Sequence, residues 1–161
     1  MIDGIQLYLV AATALACGLM SGAFYAFSSF VMAGLKRLPS KQGMAAMQSI
    51  NVTAVTPGFM IGFVGTTVAC IAVAISAIAN WDQTVSVWLL VGAGLYFGGV
   101  FVMTATYHVP RNNALAATSP TAADAQGVWS RYLTEWTTRN HIRTISSLAA
   151  AAALTIAIRL G

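Results

Sequence analysis

The sequence predicts an all-α integral membrane protein, a four-helix bundle whose helices extend beyond the bilayer on the cytoplasmic side. Three observations carry that prediction. Only 7% of the 161 residues are charged and 58% are hydrophobic. Soluble domains carry about 25% charged residues, so this chain cannot cover a water-facing surface. Four segments are long enough to cross a bilayer core, which takes roughly 20 apolar residues. Finally, six of the eight Lys and Arg residues fall in the two long connections between those segments, and a seventh, Arg143, lies at the mouth of the fourth segment.

The length fits one membrane domain over residues 1–161. The first span runs roughly from Ile5 to Leu35. Its start, Met-Ile-Asp-Gly, lacks the basic stretch of a cleavable signal, so the span is expected to be retained. The second runs from Pro57 to Ala79 and the third from Val85 to Tyr107. The short link Asn80-Trp-Asp-Gln83 joins them as a hairpin, with Trp81 and Trp88 suited to the headgroup level. The fourth runs from Ile142 to Leu160. Two further helices are expected at the interface, roughly over 40–55 and 121–141. Ser40 is the expected N-cap of the first, and Pro57 the break after it. Pro110 is expected to end span three, turning Arg111, Asn112 and Asn113 toward a chamber walled by the helical extensions.

Lys36, Arg37, Lys41, Arg111, Arg131, Arg139 and Arg143 lie on one side and Arg159 on the other, with Asp3 and Asp82. The positive-inside rule then puts both termini outside and both long connections in the cytoplasm. Basic residues so distributed mark topology and not a nucleic-acid surface. Cys17 and Cys70 sit midway along apolar runs and read as small hydrophobes, not as a disulfide or metal pair. Gly18/Gly22, Gly58/Gly62 and Gly94/Gly98 have the spacing that lets membrane helices approach closely. They are expected to pack within the chain, with a homo-oligomer left open.

The residues able to do chemistry concentrate between Trp129 and Thr144. On a helix, Trp129, Tyr132, Leu133, Trp136, Asn140 and Arg143 share one face of about 80°. Arg131, Glu135 and Arg139 form a separate stripe, expected to be a solvated salt-bridge ladder. The aromatic side chains suit either an interfacial belt or the wall of a site. Arg143 lies at the mouth of an apolar span, where a charge faces a cavity or partner or snorkels to lipid phosphate. His108 and His141 fall at the same depth and could hold a metal or haem. With no third ligand nearby, no metal site is assigned. His141 could instead be a general base. Gln48, Asn51, Asn112 and Asn113 add neutral hydrogen-bonding groups at that level. Such groups beside aromatics suit a flat, oxygenated, lipophilic ligand or lipid headgroups equally.

Several blocks carry a resemblance along nearly the whole chain: Gly22-Ala-Phe24 with Phe27-Ser28, Leu35 with Leu38-Pro39, and Met47-Gln48 with Ile50-Asn51, Pro57 and Phe59. Further on come Val109-Pro110 with Asn112-Asn113-Ala-Leu115, then Trp129, Tyr132, Trp136 and Asn140-His-Ile-Arg143-Thr144. In these the chain resembles the small four-helix membrane proteins grouped with the anthrone oxygenases. It departs from the pattern at His108-Val-Pro-Arg111-Asn112, where the family usually reads Asn-Val-Pro-Leu-Asn.

The resemblance implies oxidation of an activated polycyclic phenol, an anthrone, or a quinone-type relative by dioxygen. It further implies His141 as base and Arg143 stabilising the oxyanion. Asn140 and Asn112 would orient phenolic oxygens, with Trp129, Tyr132 and Trp136 against the rings and Gln48 and Asn51 completing the lining. The sequence names no cofactor. Two other readings stay open: a non-enzymatic membrane subunit docking a partner or lipid through Asn140, His141 and Arg143, and a haem or metal protein using His108 and His141.

Overall fold

The structure is a computed structural model that describes residues 4–161. The reading of the Met-Ile-Asp start, including the side on which Asp3 falls, lies outside those residues. Among the described residues there are helices and no strands. Four helices are long and apolar enough to cross a membrane: α1 (Gly4–Lys36), α3 (Pro57–Ala79), α4 (Gln83–Ala116) and α5 (Ala125–Leu160). A shorter helix, α2 (Ser40–Ala54), lies between the first two. The chain is an integral membrane four-helix bundle.

The four long helices pack in a square, α1 against α3, α3 against α4, α4 against α5, and α5 back against α1. Each sends small and branched side chains inward, including Val10, Cys17, Cys70, Val73, Leu89, Val100, Ala150 and Leu154. Leu15, Leu19, Ile71, Ile75, Ile78, Ile145 and Leu148 remain exposed on the outside. An apolar exterior over an apolar core suits lipid as the solvent. The Cys17 and Cys70 thiols are free and face each other across α1 and α3, Sγ to Sγ 3.9 Å.

At 36 residues, α5 is the longest helix, about 54 Å at ~1.5 Å per residue against a hydrocarbon core of ~30 Å. Its N-terminal part therefore projects. There it meets α2, the end of α1 and the end of α4, around a second core of Met32, Leu35, Met44, Met47, Leu115, Trp129, Tyr132 and Trp136. Pro39 precedes α2 with extended backbone, and its carbonyl accepts from the N–H groups of Gln42 and Gly43. Ser40 is thus the first helical residue and makes no cap bond. At the hairpin, the Asp82 carboxylate caps α4 by accepting from Val85 and Thr84. Those bonds hold its carboxyl below the usual carboxylate range.

Pro110 does not end the third span: the helix runs through it to Ala116. Just upstream, Phe97–Val102 and Thr104–His108 are π-helical, and the α register resumes at Val109 with Pro110 in the first turn. A proline is tolerated where a helical segment begins, because its missing N–H is not needed there. A further π segment, Phe27–Val31, interrupts α1. Such wide turns are frequent at functional sites, and here they flank the same stretch of α5.

The glycine pairs read as packing signals do not pack. A side chain added at Gly18, Gly22, Gly58, Gly94 or Gly98 would meet nothing, and one at Gly62 only the Met20 sulfur. The close approaches are elsewhere: Gly92 against Leu154 and the Ala150 carbonyl, Gly99 against Ser146, and Gly43 against the Leu35 carbonyl and Trp129. Spacing alone does not say which side of a helix faces a neighbour. Gly92 and Gly99, seven apart, face α5, whereas Gly94 and Gly98 are exposed. Gly99→Val and Gly92→Val should therefore each destabilise the bundle by about 1–3 kcal/mol through overpacking. Gly98→Val should stay within about 0.5 kcal/mol of the parent. Unfolding of the detergent-solubilised protein measures all three.

Candidate functional site

Along α5 the residues Trp129, Tyr132, Trp136, Asn140, Arg143 and Ser147 recur at intervals of three and four and are all buried. The rings stack in sequence, Trp129 on Tyr132 with centroids 5.9 Å apart and Tyr132 on Trp136 at 6.2 Å. Phe27 of α1 closes against Trp136 at 5.7 Å. Opposite this stripe, α4 presents Thr104, His108 and Asn112, each four residues on from the last. The Asn112 carbonyl oxygen accepts from both the Tyr132 hydroxyl (2.8 Å) and the Trp136 indole N–H (3.0 Å). Asn51 of α2 donates to the same tyrosine oxygen at 3.4 Å.

Asn140 is fully buried and uses every hydrogen-bonding position it has. Its amide donates to the Phe24 carbonyl (2.7 Å) and to Ser28 Oγ (2.8 Å), and its Oδ1 accepts twice from Arg143, at 2.6 and 3.2 Å. Arg143 is 6% exposed. Besides Asn140 it donates only to Thr104 Oγ1, at 3.2 Å. Its guanidinium lies 4.5 Å from the Phe24 ring centre and 5.1 Å from that of Trp136. Among the described residues no carboxylate pairs with it. Of its five N–H donors, three are engaged.

His108 is 1% exposed and sits edge-on to Trp136 (4.9 Å) and Tyr107 (5.6 Å). Neither imidazole nitrogen has a hydrogen-bond partner. The backbone of Arg139 is near enough to act on the ring electrostatically without meeting hydrogen-bond geometry.

Other expected members of the site lie apart from it. His141 is exposed: it is about 200° around the helix from Arg143, so it turns outward while Arg143 turns in. One histidine is sealed inside and the other is outside, so the two do not converge on a metal or haem. Among the described residues no three His, Cys, Asp or Glu side chains converge either. Gln48 donates to the carbonyls of Leu115 (2.8 Å) and Thr118 (2.9 Å), tying α2 to the end of α4. Arg111 and Asn113 are exposed, because only Asn112 lies on the inward side of α4 once that helix continues through Pro110.

The Arg131–Glu135–Arg139 ladder also does not form. Glu135 accepts from Arg111 of α4 at 3.3 Å, and the Arg111 and Arg139 guanidinium groups each lie over Tyr107, at 4.8 and 5.2 Å from its centre. Two open grooves flank that pair on the outer face of α4 and α5. One, of about 330 Å³, is lined by Leu115, Val128, Arg131 and Tyr132. The other, of about 380 Å³, is lined by Tyr107, Thr134, Thr138 and Arg139.

A model of the anthrone oxygenase family matches residues 57–153, more than half of the chain. The chain belongs to that family. The matched stretch holds α3, α4 and most of α5, and with them every residue of the buried stripe from Thr104 to Arg143. Asn51, Phe24 and Ser28, which complete the cluster, lie before it. No curated protein and no solved structure matches.

Sequence reasoning missed Thr104 and the inward place of His108. The signal was present, since Thr104, His108 and Asn112 repeat at i, i+4 and i+8 in an otherwise apolar run. Placing a helix end at Pro110 split that stripe. Asn112→Leu should leave two buried donors, on Tyr132 and Trp136, without an acceptor, at about 1–3 kcal/mol each. Asn112→Asp, which keeps the acceptor, should recover part of that loss. Thermal unfolding in detergent, followed by tryptophan fluorescence, reads both.

Proposed function

We propose that this protein is a membrane oxygenase that takes an activated polycyclic phenol, anthrone-like or quinone-type, from the bilayer and oxidises it with dioxygen. Arg143 carries the reading. A cation so deeply buried, with no carboxylate beside it among the described residues and two N–H groups free, is set up to receive an anion from outside the chain. The flanking Trp136, Tyr132 and Phe24 rings suit a flat aromatic body for that anion.

The chemistry is consistent with such a site. Loss of a methylene proton from an anthrone gives an enolate that is itself the electron donor to dioxygen. The overall change turns CH2 and O2 into C=O and one water, so the balance requires no other reductant. The group that accelerates it must stabilise negative charge on the ring oxygen, and a preorganised guanidinium in an apolar interior does so strongly. Asn140 acts as a positioning residue for Arg143, and Asn112 holds the Tyr132–Trp136 wall in place. The resemblance gives proton removal to His141. From its exposed place on α5 it would reach a substrate beside Arg143 only if the helix rotated.

The alternative of a docking subunit through Asn140, His141 and Arg143 fits less well, because only His141 of the three is exposed while Asn140 and Arg143 face inward. For orientation, Lys36, Arg37, Lys41, Arg111, Arg131 and Arg139 gather at the projecting end. Arg143, buried, drops out of that tally without changing its sign. Both termini outside, the site toward the cytoplasm and a lipophilic substrate remain part of the proposal.

Oxygen uptake by the protein in liposomes with 1,8-dihydroxyanthrone, corrected for autoxidation, tests it. Arg143→Gln should lower the rate by about 10²–10³-fold while Arg143→Lys retains an intermediate rate. A parent protein no faster than autoxidation would refute the reading.

A further inference from the structure

We infer that His108 is the proton-accepting group of this site, and that it selects ligands bearing an acidic C–H or O–H next to an oxygen that can face Arg143. The inference rests on the oxygenase reading and adds the group that reading lacks. Among the buried polar side chains, the serines, threonines, Asn140 and Arg143 all have partners, whereas both nitrogens of His108 have none. An unsatisfied buried polar group costs about 1–3 kcal/mol, so a lone imidazole persists in an interior where something outside the chain pairs with it. A neutral imidazole offers one donor and one acceptor; with the Arg139 backbone on the donor side, the acceptor nitrogen is the one left for a ligand.

The surroundings fix what that partner is. His108 lies one helical turn from Thr104, which holds Arg143, and one turn from Asn112, which holds Tyr132 and Trp136. Trp136 touches both the imidazole edge and the guanidinium. A ring ligand against Trp136 thus meets an acceptor on one side and a cation on the other. The proton leaves the ligand's C–H or O–H for an imidazole nitrogen. Its electron pair stays in the ring as an enolate or phenolate, whose oxygen takes the free Arg143 N–H groups. The step needs no oxidant.

His108 itself lines neither outer groove, so a ligand reaches it by displacing the side chains that cover it. Tyr107 and Arg139 line the groove of about 380 Å³, within the ~300–1,000 Å³ of sites for small organic ligands. The same two residues contact His108 from behind, one through its ring and the other through its backbone.

The test separates proton removal from oxidation. Under anaerobic conditions in D2O, the parent protein should speed deuterium incorporation at the methylene of 1,8-dihydroxyanthrone. His108→Asn and His108→Gln should lose that acceleration by about 10²-fold or more, with His141→Asn unchanged. A second measurement needs no substitution inside the core. The chain has two histidines, so 15N-histidine labelling of His141→Asn leaves only the His108 signals, which should shift on adding 1,8-dihydroxyanthraquinone. Parent-like exchange in both His108 variants, or unmoved signals, overturns the role of His108 and leaves the oxygenase reading standing. A parent that neither exchanges the methylene nor consumes oxygen refutes both.

Discussion

The arrangement depends on one pair, Asn140 and Arg143, three residues apart on the inward face of α5. A guanidinium in the apolar interior is expensive unless its donors are met, and here a neutral amide meets two of them through a single oxygen. The amide can do this because its own N–H groups are taken by α1, through the Phe24 carbonyl and Ser28. Thr104 of α4 takes a third guanidinium donor. The pair therefore ties three helices together at one depth and leaves part of the charge unspent.

The neighbouring backbone is consistent with that requirement. The π segments of α1 and α4 lie beside Asn140 and Arg143 and hold Ser28 and Thr104, the residues that reach them. A ladder of side-chain hydrogen bonds continues the α1–α5 seam, with Ser21 donating to the Thr144 carbonyl and Ser147 to that of Cys17. The aromatic stack then carries the site outward to the second core, where Asn112 fixes the two inner rings. The exposed Arg111–Glu135 pair contributes little beside this, as surface ion pairs do.

The fold was legible because lipid imposes a simple rule: long apolar runs must be helices with their backbone groups satisfied internally. The inward face of α5 was legible for the same reason, as Trp129, Tyr132, Trp136, Asn140 and Arg143 keep helical spacing. What remained hidden depends on direction and on partners. His141 stands beside Asn140 in the sequence yet projects away from Arg143, and adjacency gave it a role its orientation does not support. His108 was set aside because it was weighed only as a metal ligand, with no third ligand nearby, and its inward place beside Thr104 and Asn112 depends on the helix continuing through Pro110. The glycine spacings failed likewise: Gly94 and Gly98 match a packing motif but face outward, while Gly92 and Gly99 make the contact.

The central claim is that the unpaired charge of Arg143 is there to receive a ligand oxygen. An experimental structure of the protein with 1,8-dihydroxyanthraquinone bound tests it most directly. The account predicts a ligand oxygen within hydrogen-bond distance of an Arg143 Nη atom, with the rings against Trp136. A ligand held only in the outer grooves at Arg111 and Glu135, with Arg143 still bound to Asn140 and Thr104 alone, would contradict it.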